Sequence, residues 1–182
     1  YAETKEVPIE NKEKTGSITV HKTTEGQKNI EGIKFYLRGT SDSGRAIDIP
    51  ATTDKDGIAK FDGVPIGTYM VIEDEETVPY GYLVADEKEV KVEYAQTIDE
   101  TILNNEQTGT VKVHKKTADM TNVEGIRFIL SGISDTGREI RIEATTDKDG
   151  LAKFEGVPVG TYTITEDGST VPYGYLVADS KQ

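Results

Sequence analysis

Apolar and polar residues alternate along most of this chain, in short runs separated by Gly, Pro, Asp and Ser. Ile18, Val20 and Lys22 share one parity, and so one face of a strand. Ile33, Phe35 and Leu37 repeat the pattern, as do Ala59 with Phe61, and Tyr69 with Val71 and Glu73. SDSGR (41–45), TDKDG (53–57) and GVPIG (63–67) supply the residues of tight turns. VPYGY (78–82) reads as a Pro/Gly bend into Leu83-Val84-Ala85, its tyrosine either packed over the bend, the favoured reading, or exposed as a sticky edge. Residues 88–104 offer two more strands, and no segment carries a long helical period. The expectation is all-β, with a two-sheet sandwich of about seven strands as the repeating solution.

The pattern repeats. Residues 16–87 align without a gap to 109–180, and roughly two thirds of the paired positions are identical. His21 returns as His114, TTDKDG (52–57) at 145–150, and TVPYGYLVAD (77–86) at 170–179. A unit of this length exceeds the 20–50 residues of a solenoid repeat and suits a small independent domain. The same offset places Tyr1-Ala2 on Tyr94-Ala95 and Asn11 on Asn104. The expected organisation is therefore 1–15 as the final strand of a preceding repeat plus linker, 16–108 as a complete repeat, and 109–182 as a second repeat lacking its last strand.

Composition narrows the chemistry. The chain has 182 residues and a formal charge of −12, which disfavours nucleic acid and anionic lipid as partners. It has no Cys, so disulfides and thiol chemistry are excluded, and two His leave little for a metal site. No apolar run reaches the roughly 18 residues of a spanning helix, so membrane insertion is not expected. DKDG (54–57, 147–150) lacks the further ligands of a calcium loop and reads as a hairpin turn. His21 and His114 fall on the solvent parity. No cofactor is expected.

One feature breaks the alternation. Lys22 follows Ile18 and Val20 on the apolar parity, Glu73 follows Tyr69 and Val71, and Asn104 follows Ile102. The second unit repeats the first two, as Val111, Val113, Lys115 and Tyr162, Ile164, Glu166. An isolated buried charge is costly, so these groups must pair, neutralise or react. Parity alone leaves three readings open: strand ends reaching water, a buried ion pair, or a reactive set.

The order and spacing of these segments resemble the collagen-adhesin B-type domain, also called SpaA-type or prealbumin-like, of Gram-positive surface proteins and pilins. GSITVHK (16–22) and GTVKVHK (109–115) resemble its opening strand, and EGIKFYL (31–37) and EGIRFIL (124–130) its second. TTDKDGIAKFDGVPIGTYMVIE (52–73) resembles its central stretch, VPYGY its bend, and ILNNEQTG (102–109) its closing strand. The resemblance implies tandem immunoglobulin-like or prealbumin-like β-sandwiches and an intramolecular isopeptide bond from Lys22 to Asn104, promoted by Glu73. Burial would favour the neutral amine, and the glutamic acid would polarise the amide carbonyl. This is single-turnover autocatalysis rather than an enzyme activity.

In the second unit Lys115 and Glu166 are present without a following Asn. Asn11 of a neighbouring copy could supply it by adding a strand to an open edge, linking molecules head to tail. A boundary inside a longer repeat array explains the same pattern. The resemblance implies a stalk or fibre module outside the cell, attached to the cell wall through a parent protein. The alternatives are an adhesin module that grips host matrix or a polysaccharide, and an accessory domain of a secreted polysaccharide-degrading enzyme.

Overall fold

The computed structural model describes residues 4–26, 28, 30–118, 121 and 123–182. The described residues form strands, turns and two short 3-10 helices, with no α-helix among them. Contacts divide the chain into two compact units: Tyr1–Lys22, Ile30–Thr77 and Ala85–Ile102, and Thr23–Asn29, Val78–Val84 and Leu103–Gln182.

In the first repeat the strands are β1 (Thr15–Thr24), β2 (Lys34–Ser41), β3 (Ala46–Thr52), β4 (Ile58–Pro65), β5 (Gly67–Glu73), β6 (Lys88–Val92) and β7 (Thr97–Asn104). They make one sheet in the order β4-β1-β7 and another in the order β3-β2-β5-β6. The alternation seen in the sequence is what is buried. Along β1 every second residue from Gly16 to Thr24 faces inward, and along β5 Tyr69, Val71 and Glu73 do so. Ile18, Val20, Phe35, Leu37, Phe61, Tyr69, Val71, Val90, Val92 and Ile102 share one core. Apolar burial drives this packing at about 25 cal/mol per Å2. The Tyr69 hydroxyl is carried into the core and donates to the Pro65 carbonyl at 2.8 Å, which offsets its desolvation.

The second repeat builds β8 (Thr108–His114), β9 (Arg127–Ser134), β10 (Glu139–Thr145), β11 (Leu151–Pro158) and β12 (Gly160–Glu166). These pair as β10-β9-β12 and β11-β8. Ile126, Phe128, Leu130, Ile140, Ala152, Phe154 and Val157 form its core. Tyr162 reproduces the Tyr69 bond, donating to the Pro158 carbonyl at 2.9 Å.

Residues 4–14 carry no strand, and residues 1–3 of the expected terminal strand lie outside the described part. Leu83-Val84-Ala85, after the bend, is irregular, and Leu83 and Val84 are exposed. In the VPYGY bend Tyr82 is buried and donates to the Glu25 carbonyl at 3.1 Å, whereas Tyr80 and its counterpart Tyr173 are exposed.

Candidate functional site

Strand β1 delivers Lys22 to the core because its side chain continues the inward parity of Ile18 and Val20. The backbone fixes it from behind. The Lys22 N–H donates to the Gly57 carbonyl at 2.7 Å. Gly57 has φ of +75°, and a Cβ there would come within 2.7 Å of the Lys22 carbonyl oxygen, so only glycine lets the turn approach this closely. Gly150 does the same for Lys115, with φ of +74° and 2.6 Å to the Lys115 oxygen.

Lys22 and Glu73 meet inside the first repeat. Nζ lies 3.3 Å from Glu73 Oε1, and the two side chains are 0% and 1% exposed. Nζ also donates to the Ile102 carbonyl of β7 at 3.2 Å. The other carboxylate oxygen of Glu73 accepts from the Ala85 N–H at 2.8 Å. Both oxygens are thus oriented, one toward the amine and one into the segment after the bend. Asn104 ends β7 and is wholly buried. It lies two residues beyond Ile102 on the same parity, on the strand that flanks β1 in its sheet.

Burial pushes the Lys22 amine below its ordinary value of 10.5, and the neighbouring Glu73 carboxylate partly opposes the shift. The site therefore enriches the neutral, nucleophilic form of an amine that in water would be almost entirely protonated at neutral pH.

The second repeat assembles the same pair. Lys115 Nζ lies 2.5 Å from Glu166 Oε1, with side chains 11% and 1% exposed. Glu166 Oε2 accepts from the Ala178 N–H at 2.6 Å, the counterpart of the Ala85 bond. A groove of about 230 Å3 is lined here by Val113, Lys115, Phe128, Ile164, Glu166 and Lys181. Asn11 is exposed and outside any strand. Of the six residues singled out in the sequence, the structure brings Lys22 to Glu73 and Lys115 to Glu166, buries Asn104 on β7, and leaves Asn11 exposed outside any strand.

His21 lies on the outer parity and meets exposed Asp99 at 3.1 Å. No group of His, Asp and Glu among the described residues could hold a metal ion, and no described helix is long and apolar enough to cross a membrane. Sequence reasoning missed the contributions of Gly57, Gly150, Ala85 and Ala178. All four sit at matched positions in the two repeats, and that recurrence was the available signal.

Comparison with known proteins bears on both repeats. Residues 16–107 and 109–182 each match the family described as "SpaA: Prealbumin-like fold domain". No curated protein matches the chain. Among solved structures, the Bacillus anthracis TIE protein is similar at 26% identity with a TM-score of 0.64, over 92% of this chain and 30% of that one. A streptococcal ancillary pilin aligns at 24% identity and a TM-score of 0.43, over 91% of this chain and 56% of that one. The shaft pilin spaA of Lactobacillus rhamnosus GG aligns at 18% identity and a TM-score of 0.40, over 92% and 93%. The chain thus spans under a third of the length of the TIE protein and a little over half that of the ancillary pilin.

Proposed function

The chain belongs to the SpaA prealbumin-like domain family through two tandem matches, and on that premise we propose that it is a load-bearing stalk or fibre module of an extracellular surface protein, hardened by an isopeptide bond between Lys22 and Asn104. The observation that carries this reading is the buried Lys22–Glu73 pair, with the amine also held on the carbonyl of Ile102. Neutral Lys22 Nζ attacks Asn104 Cγ, an amide forms between them, and the Asn nitrogen leaves as ammonia. Glu73 acts as acid toward the amide oxygen and then carries the amine proton to the leaving nitrogen. Atoms balance without a cofactor. Folding holds the reactants together, and the dry site keeps water from competing.

The bond would tie β1 to β7, so tension entering and leaving the repeat would bypass its interior. Mechanical pulling on the full chain tests this. The segment between Lys22 and Asn104 spans roughly 280 Å when extended. Wild-type protein should unfold its first repeat without releasing that length, and Lys22→Ala should release it. Release of the full length from wild type would end the stalk reading.

The second repeat favours an extension of the same chemistry. Its Lys115–Glu166 pair borders a groove, and Asn11 is exposed on a segment without a strand. Asn11 of a neighbouring copy would enter as an added strand and react with Lys115, joining molecules head to tail. Denaturing electrophoresis should then show multiples of 19.9 kDa. A monomer band alone would remove the intermolecular link and leave the Lys22 bond untouched.

A further inference from the structure

A carboxylate recurs three residues before the opening glycine of each repeat: Glu13 before Gly16 and Glu106 before Gly109. In both cases it docks against a turn of the repeat it precedes. In the first, the Ser43 hydroxyl donates to Glu13 Oε1, and Arg45 Nη2 lies 3.2 Å from Oε2. In the second, Thr136 donates to Glu106 Oε1, Ser134 approaches the same oxygen at 3.5 Å, and Arg138 Nη2 donates to Oε2. The turn is prepared for this. The Ser41 hydroxyl accepts from the Arg45 N–H at 3.0 Å and lies 2.8 Å from the Ser43 hydroxyl. Ser134, Thr136 and Arg138 copy those bonds at 2.7 and 3.0 Å.

The backbone gives a second, independent hold. The carbonyl after the glutamate, Lys14 or Gln107, accepts from the Ile66 or Val159 N–H at 3.0 Å in each case. The carbonyl of that same residue, Ile66 or Val159, accepts at 2.9 Å from the amide of Asp42 or Asp135, inside the turn. Side chain and main chain therefore converge on the same two residues, Glu13-Lys14 or Glu106-Gln107. The Glu106 side chain is fully buried, although glutamate is rarely buried without partners.

We propose that the Ser-Asp-Ser/Thr-Gly-Arg turn of each repeat (41–45 and 134–138) is a receptor for the glutamate of the segment leading into that repeat, and clasps the segment against the start of its first strand. The two hydroxyls and the guanidinium form a carboxylate-binding cup, with charge-assisted bonds to both oxygens. The proposal does not depend on the isopeptide bond.

Digestion of the full chain with a glutamate-specific protease tests it. Glu10 and Glu13 are both exposed on this segment, three residues apart, so Glu10 serves as an internal control. In wild type, cleavage after Glu10 should outpace cleavage after Glu13 by about tenfold, since charge-assisted bonds must open first. In Ser43→Ala/Arg45→Met the two rates should converge. Hydrogen exchange of the Ile66 amide should rise about tenfold in the variant while the amides of Phe35 and Val71 keep their protection, which reports an intact fold. Equal cleavage after Glu10 and Glu13 in wild type, or an unchanged Ile66 amide in the variant, would overturn the proposal.

Discussion

Asn104→Ala is expected to lower the thermal midpoint of the first repeat by about 20 °C or more. The proposed Lys22–Asn104 bond would close a loop that contributes about 4.5 kcal/mol through the entropy of the unfolded chain. A domain of this size moves by about 4–8 °C per kcal/mol. The substitution leaves the Lys22 partners in place, Glu73 at 3.3 Å and the Ile102 carbonyl at 3.2 Å. Calorimetry on the full chain supplies its own control. The transition of the second repeat, whose Lys115 pairs with Glu166, should stay where it is. A shift of only a few degrees in the first transition would mean that no covalent bond had been lost.

Glu73→Ala should cost more. It removes the proposed promoter, so the loop would stay open, and it strands Lys22, whose side chain is 0% exposed, in a dry core. Breaking a buried pair by deleting one partner costs about 3–5 kcal/mol in addition. Against a total stability of about 5–15 kcal/mol, the first repeat becomes marginal or unfolds near body temperature. The loss carries a pH signature of known sign. Burial already holds the Lys22 amine below its ordinary 10.5, and the carboxylate that opposed this shift is gone. Below 10.5 the unfolded chain then binds a proton that the folded chain has released, so stability rises with pH up to that value. Glu73→Ala should recover stability between neutral pH and pH 10, measured by urea unfolding. The double variant Glu73→Ala/Lys22→Met should lack that recovery. An identical pH profile in both would show that Lys22 is not desolvated.

The sequence announced this site through a violation of its own pattern. A lysine on the parity of Ile18 and Val20, and a glutamate on that of Tyr69 and Val71, contradict a simple core, and both are buried in the fold. Period-two alternation is legible because a strand has only two faces, so parity places a residue inside or outside without knowledge of its neighbours. Pairing is less legible. Nothing local to Lys22 says that Glu73 will lie 3.3 Å from it, because β1 and β5 belong to different sheets of the sandwich. That step required either the fold or a family resemblance.

The parts that were not legible are those where alternation carries no information. Leu83 and Val84 are apolar and follow a bend, yet the segment is irregular and exposed. The value of that segment lies in its backbone, since the Ala85 N–H holds Glu73. A main-chain donor leaves no trace in side-chain chemistry. Glu13 and Glu106 were hidden differently. Each looks like an ordinary linker charge in an acidic chain, and only the shared offset from the opening glycine marks them as equivalent.

Intact mass under denaturing conditions tests the cross-link most directly. Formation of the Lys22–Asn104 amide expels one ammonia, so the purified chain should weigh about 17 Da less than its sequence requires. A tryptic digest should join the peptides bearing Lys22 and Asn104. A full sequence mass, with those two peptides recovered separately, would contradict the bond.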